Sequence, residues 1–285
     1  MDNLASPKVI KDIIEKYGFR FSKSLGQNFL IDGNIVRKIV EYAEVSKEDY
    51  VLEIGPGIGT LTQVLCEKAK KVVSVEIDSK LIPMLMDNLK EYDNFILLHN
   101  DILKIDINNI IQNQFEGKKI KVVANLPYYV TTPIIMELLE KKLNISSITV
   151  MIQKEVAKRL QAEPGNKDYG ALSVSTQYYC EPKIGFLVSK NCFMPAPKVD
   201  SVVIKLNVME TPKVDVSNEK LFFNIIRASF GQRRKTLINS LGNSKVEGMN
   251  KELVKNILDK FGISEQIRGE SLTIEQFAQL TNMLS

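Results

Sequence analysis

The 285-residue sequence predicts an α/β fold, a mostly parallel sheet with an antiparallel edge, followed by a small all-helical domain. Three observations carry that expectation. Between residues 50 and 152, short and nearly continuous apolar runs alternate with amphipathic helical stretches, the pattern of strands covered on both faces by crossover helices. From about residue 171, apolar runs follow one another with no helix between them, as antiparallel strands do. Beyond residue 218, only helical periodicity remains.

Residues 50–54 (YVLEI) form the first strand, ended by Gly55, and a helix follows with Leu61, Val64 and Leu65 on one face. Residues 72–76 give the second strand, and the next helix carries Leu81, Leu85 and Leu89. Residues 95–98, 121–124 and 148–152 are further strands. Residues 171–178, 183–187 and 199–206 are the expected antiparallel set. Residues 207–218 are polar, contain Pro212 and have no period, so a linker falls there. This divides the chain into a catalytic domain, 1–208, and a helical domain, 209–285. In the latter, Leu221, Phe222, Ile225, Ile226 and Phe230 share an apolar face, and shorter amphipathic segments lie near 235–241, 251–261 and 274–283.

A hydrophobic content of 44% with 25% charged residues suits a globular domain with a buried core. No apolar run approaches the roughly 20 residues of a membrane helix, and the charged N-terminus is neither a secretory signal nor an anchor, so a cytoplasmic protein is expected. Cys66, Cys180 and Cys192 lack metal-site spacing and read as reduced thiols, with no metal expected. The net charge of +4 is compatible with a nucleic-acid partner without selecting one.

Two motifs carry chemistry. The first, Glu53-Ile54-Gly55-Pro56-Gly57-Ile58-Gly59, joins the first strand to its helix. Glycines at 55, 57 and 59 let the backbone take positive φ and approach a ligand closely. The spacing departs from the dinucleotide fingerprint G-x-G-x-x-G, whose helix start receives a pyrophosphate. It suits S-adenosylmethionine, which brings an amino acid and a sulfonium instead. Glu76, ending the second strand, is suited to both ribose hydroxyls, and Asp101, beside Ile102 after the third strand, to an adenine amino group.

The second motif, Asn125-Leu126-Pro127-Tyr128, follows the fourth strand at the carboxyl edge of the sheet, where open α/β folds bind ligands. An adenine amine is a poor nucleophile because its lone pair is delocalised into the ring. The Asn125 side-chain oxygen and the Leu126 carbonyl can both accept its hydrogens and favour a pyramidal nitrogen. Pro127 stiffens the turn, and Tyr128 offers a stacking face worth about 1–3 kcal/mol. Positioning and electrostatics then supply the acceleration.

With these residues in place, the chain resembles the KsgA-type small-subunit (16S) rRNA adenine dimethyltransferases nearly end to end. The resemblance runs through Leu25-Gly26-Gln27-Asn28-Phe29-Leu30, the glycine loop, Glu76, Asp101 and Asn125 to Tyr128. It continues through residues 153–160, Tyr169-Gly170, residues 193–201 (FMPAPKVDS) and residues 230–237 (FGQRRKTL). It implies a Rossmann-like S-adenosylmethionine methyltransferase sheet, with Asn28 and Leu30 on a segment closing over the methionine end of the cofactor. It also implies that Phe193 packs near the target base opposite Tyr128. The expected reaction is transfer of two methyl groups to N6 of each of two adjacent adenines near the 3′ end of small-subunit rRNA, the base being extruded into the pocket.

For RNA contact the candidates are Arg20 and Lys23, Lys154 and Arg159, and the run Arg233-Arg234-Lys235. Such contacts neutralise phosphates without specifying sequence. Phe19 and Phe21 next to Arg20 belong equally well to an RNA-binding arm or to the core. The expected partner is the small subunit or its late precursor, met by a monomer. Large-subunit rRNA adenine methylases of the macrolide-resistance type share both motifs, but Leu126, the doubled Tyr128-Tyr129 and residues 230–237 favour the small-subunit enzyme. An assembly factor acting by binding would keep every motif. A dehydrogenase is disfavoured by the glycine spacing.

Overall fold

The computed structural model describes residues 4–22, 24–244, 246 and 248–284. The chain enters through helix α1 (Pro7–Lys16), a two-residue strand β1 (Phe29–Leu30) and helix α2 (Gly33–Tyr42). The expected alternation follows: β2 (Tyr50–Ile54), α3 (Thr60–Lys68), β3 (Lys71–Glu76), α4 (Ile82–Asn88), β4 (Phe95–His99), α5 (Ile107–Gln114), β5 (Ile120–Asn125), α6 (Thr131–Glu140) and β6 (Ile145–Gln153). Next come α7 (Lys154–Leu160), α8 (Ala171–Tyr179), β7 (Cys180–Val188), the short β8 (Phe193–Met194) and β9 (Ser201–Val208). Four helices close the chain, α9 (Glu219–Gly231), α10 (Leu237–Gly242), α11 (Lys251–Lys260) and α12 (Ile274–Asn282).

The sheet has seven strands in the order β4-β3-β2-β5-β6-β9-β7. Strands β2 to β6 pair in parallel, and β9 returns antiparallel to β6 with Gln153 opposite Ser201. Val51, Leu52, Val72, Val73, Val122 and Val123 are fully buried, as strands covered on both faces require. A separate ribbon pairs β1 with β8, setting Leu30 opposite Phe193.

Residues 171–178 are a correction. Their β-branched and aromatic content reads as a strand, yet they form helix α8, nearly all of it buried. The helix starts at Gly170, whose amide donates to Ser173 Oγ at 3.0 Å, and Gln177 Nε2 donates to the carbonyls of Leu160 (3.3 Å) and Ala162 (2.9 Å). Burial on several sides has overridden local propensity here.

The chain forms two compact units. One comprises residues 1–157 with 182–208, the other residues 158–181 with 209–285. The helical unit is discontinuous in sequence and takes in α8. Aromatic packing accounts for that recruitment: the Tyr178 ring lies 5.0 Å from Phe222 and 5.3 Å from Phe223, both on α9. The Tyr169 hydroxyl donates to the Leu272 carbonyl at 2.8 Å, and burial raises its pKa. The polar residues after β9 are also tied down, since Met209 and Lys213 amides donate to the carbonyls of Tyr179 and Tyr178, each at 3.0 Å.

Gly59 at the head of α3 has φ +94°, and a Cβ there would lie 3.2 Å from Leu89 Cδ1 and 3.4 Å from Leu85 Cδ2. Both leucines are buried on the α4 side of the loop. Gly59→Ala is expected to cost about 1–3 kcal/mol from the left-handed backbone alone, visible as a lower thermal midpoint, whereas an unchanged midpoint would show that the loop relaxes freely.

Candidate cofactor and active site

A cavity of about 250 Å³ opens where β2, β3 and β5 end. Its floor is the glycine loop, in which Gly55, Gly57 and Gly59 have φ of +66°, +63° and +94°. Gly55 and Gly57 line the cavity; Gly59 stands behind them as the residue before α3. Glu76 and Asp101 approach from the ends of β3 and β4, with Ile77, Ile102 and Leu103 as an apolar wall beside them. Asn125, Leu126, Pro127, Tyr128 and Tyr129 close the other side. Residues 25–30, including Asn28 and Leu30, form the remaining wall.

The electrostatics of this cavity are one-sided. Glu53 is 1% exposed and Glu76 is 4% exposed, and no lysine or arginine pairs with either among the described residues. Ser74 Oγ donates to Glu53 Oε2 at 2.6 Å. Burial, opposed by that hydroxyl, pushes the Glu53 carboxyl up to about 7, and the neighbouring Glu76 adds to the rise. Glu76 accepts from the amides of Asp78 at 2.8 Å and Gly57 at 3.4 Å; burial still raises its pKa against those bonds. Asp101 is half-buried; its Oδ1 accepts from the Leu103 amide at 3.0 Å, and Lys104 stands 3.5 Å from Oδ2. Buried carboxylates are ordinarily paired with cations, so a cavity with two unpaired ones favours a cationic ligand.

At the catalytic turn, the Leu126 amide donates to the Met151 carbonyl at 3.2 Å, holding the turn to β6. Asn125 Nδ2 donates to the Asn28 carbonyl at 3.2 Å, which leaves its side-chain oxygen as the acceptor for an incoming amine. The Tyr128 hydroxyl and Ser201 Oγ share a 2.6 Å hydrogen bond, with Ser201 fully buried at the start of β9. Burial raises the Tyr128 pKa and the Ser201 bond opposes it. Ser201 was legible only as the last residue of the 193–201 signature; its hold on Tyr128 was not. Phe193 does not join this cluster. It is buried at 4% exposure in the core among Leu30, Val36 and Val203, outside the cavity wall, so the pairing with Tyr128 around a base is not what this conformation presents.

The 25–30 segment is tied to the cavity by contacts that sequence reasoning missed. Gln27 Nε2 donates to Asp78 Oδ2 at 2.7 Å while its Oε1 accepts from the Ser22 amide at 2.7 Å. Phe19, Phe21 and Phe29 form an aromatic trio with centroids 5.0–5.7 Å apart, which assigns the first two to the core. Arg20 between them is exposed.

The profile of the ribosomal RNA adenine dimethylase family matches residues 18–285. The chain belongs to that family. Ribosomal RNA small subunit methyltransferase A from Lachnoclostridium phytofermentans is 54% identical over 285 residues, covering 100% of this chain and 98% of the relative. Its counterpart from Clostridioides difficile is 50% identical with the same coverage. Among solved structures, a dimethyladenosine transferase from Plasmodium falciparum superposes with a TM-score of 0.72 at 28% identity, over 87% of this chain and 94% of that one. The 23S rRNA methyltransferase ErmE gives 0.68 at 26% identity over 90% and 99%. The mostly parallel sheet with its antiparallel strands is therefore the Rossmann-like methyltransferase fold. As a member of the dimethylase family the chain is a methyltransferase, and the small-subunit relatives lie much closer to it than the 23S enzyme.

The candidate RNA contacts are scattered. Lys154, Arg159, Arg234 and Lys235 are exposed. Lys23 lies outside the described residues. Arg233 is committed elsewhere: its guanidinium donates to the carbonyls of Lys167 (2.9 Å) and Tyr169 (3.0 Å) and stands 3.3 Å from Glu270. Its charge serves the helical unit's own loop.

The Glu53 carboxyl sets a pH dependence. Its folded pKa, about 7, is raised above the ordinary 4.5, so its contribution to stability is fully present below pH 4.5 and is lost as pH rises through 7. Glu53→Gln removes the ionisation. In urea titrations of the ligand-free protein, the variant's stability is expected to gain on the wild type between pH 4.5 and 7. A constant difference across that interval would mean that the carboxyl titrates normally.

Proposed function

We propose that this chain methylates N6 of two adjacent adenines near the 3′ end of small-subunit rRNA, giving N6,N6-dimethyladenosine during ribosome assembly, and that it works as a cytoplasmic monomer. The observation that carries the proposal is the Asn125–Tyr128 turn set beside two buried carboxylates that have no cationic partner. The full-length relatives support the small subunit as substrate over the large one. Among the described residues no helix is long and apolar enough to cross a membrane.

S-adenosylmethionine fits the donor set. Its two positive charges, ammonium and sulfonium, complement Glu53 and the rest of the acidic wall, and Glu76 at the end of β3 is suited to its ribose. Asp101 with Ile77, Ile102 and Leu103 makes an acceptor next to an apolar slot, as a flat adenine needs. A dinucleotide's pyrophosphate would instead be repelled by these carboxylates. The bound cofactor supplies an electrophilic methyl group on sulfur.

The protein's own part is positioning. The Asn125 side-chain oxygen and the Leu126 carbonyl accept the hydrogens of the target amine, orienting its lone pair and stabilising the charge that nitrogen acquires. Tyr128, held at its hydroxyl by Ser201, gives the extruded base a fixed stacking face. No general base is required, because a methylated amine that has become cationic loses its proton readily to water. Arg20, Lys154, Arg159, Arg234 and Lys235 contact phosphates in this proposal, which makes binding salt-sensitive.

Asn125→Ala should lower kcat by about 100-fold or more, the size of loss seen when one transition-state hydrogen bond is removed, while the thermal midpoint stays that of the wild type. The check is transfer of labelled methyl from S-adenosylmethionine to small subunits from cells lacking adenine dimethylation, with the modified nucleosides mapped by mass spectrometry. Undiminished dimethyladenosine from the variant would overturn the role of the turn, and label confined to large subunits would overturn the substrate.

A further inference from the structure

We infer that Tyr129 forms a second base-stacking subsite at the mouth of the cavity, taking the nucleotide next to the target adenine. The inference rests on the adenine-methylation reading above and names the part of the substrate that the deep pocket leaves outside.

Tyr128, Tyr129 and Val130 form a single 3-10 turn after Pro127. Three residues per turn splay successive side chains by about 120°. Tyr128 therefore turns inward, half-buried and bonded to Ser201, whereas Tyr129 turns out and is 56% exposed. A single exposed ring is ordinary on a remote surface, but this one lies on the wall of the cavity. One side of the ring rests on Gly26. A Cβ at Gly26 would lie 3.2 Å from Tyr129 Cδ1 and 3.6 Å from Cε1, so only glycine lets the strap approach this closely. The φ of +59° at Gly26 points the same way. The ring is thus held along its Cδ1–Cε1 side while more than half of the residue stays exposed.

The occupant follows from continuity. A polynucleotide whose target base stacks on Tyr128 must leave the cavity past the residue that follows Tyr128 in the same turn. A flanking purine meets Tyr129 there, with stacking as the available interaction, since every base has a π-face. Ile77 and Leu103, the other exposed apolar residues of the wall, stand beside Asp101 at the far end and are aliphatic. The subsite suits a substrate with two neighbouring adenines: whichever is in the pocket, the other is a purine at the rim.

The test uses the full-length protein as Tyr129→Ala, Tyr129→Leu and Tyr129→Phe, each checked for an unchanged thermal midpoint. Substrates are undimethylated small subunits with both adenines present, or with either one replaced by uridine. Expected for Tyr129→Ala is a rise of about 10- to 100-fold in KM for the subunit, with kcat and the Kd for S-adenosylmethionine unchanged. Tyr129→Leu, which keeps apolar bulk but loses the ring, should behave like alanine, and Tyr129→Phe like the wild type. The wild type should also prefer an adenine neighbour to a uridine, and that preference should shrink toward none in Tyr129→Ala. Three results overturn the subsite: an unchanged KM, a KM rise indifferent to the neighbour, or a parallel loss of cofactor affinity showing that Tyr129 serves only to seat the strap. If the wild type fails to methylate any of these subunits, it is the proposed reaction that falls.

Discussion

The pairing of β2 with β3 on one side and β5 on the other is the constraint from which the cavity follows. In a parallel sheet all carboxyl ends share one edge, and a crevice opens there only where successive connections leave in opposite directions. After β2 the chain builds outward through β3 and β4, then returns to lay β5 against the other flank of β2. The glycine loop, Glu76 and Asn125 are thereby brought to one edge from distant parts of the sequence. The fully buried Val51, Leu52, Val122 and Val123 fix the register that sets their relative heights.

That placement creates an electrostatic problem which the protein leaves unsolved on its own. Glu53 lies inside the sheet edge with only the hydroxyls of Ser74 and Thr62 beside it, and Glu76 is held by backbone amides. Burial is what disfavours the charged form of Glu53, with a smaller push from Glu76, and the carboxyl's pKa is raised to about 7. A cationic ligand reverses the balance, and its binding stabilises the folded state by mass action. Replacing these acids by apolar groups of similar volume would stabilise the empty protein.

Much of this was legible in the sequence, for definable reasons. Strands β2 to β6 show themselves because burial on both faces demands continuous apolar runs, and the glycine loop and Asn125–Tyr128 are local motifs with fixed spacing. What escaped is what depends on non-local contact. Helix α8 is written in residues that favour strands, and burial together with non-local contacts such as Tyr178 on Phe222 overrides that preference. Strands β1 and β8, two residues each, are too short to have a period. Arg233 looks like an RNA ligand because charge is visible in sequence, while the carbonyls that claim it are not. Glu53 stands two residues before the first glycine, where its acidity is plain from the sequence, but nothing local announces that no cation accompanies it among the described residues.

The segment of residues 25–30 joins two walls of the cavity. Gln27 ties it to Asp78, two residues beyond Glu76, and the Asn28 carbonyl holds the side-chain amide of Asn125. Phe29, at its end in the β1–β8 ribbon, packs against the Phe19 and Phe21 rings that precede the segment. The segment that lines the cavity is therefore the same one whose carbonyl holds the Asn125 amide. If that segment lifts, Asn125 loses the bond that fixes its amide plane and Tyr129 loses the glycine beside its ring. The positions of Asn125 and Tyr129 thus depend together on one short stretch of backbone, in which Gly26 lies against the Tyr129 ring and Phe29 is buried.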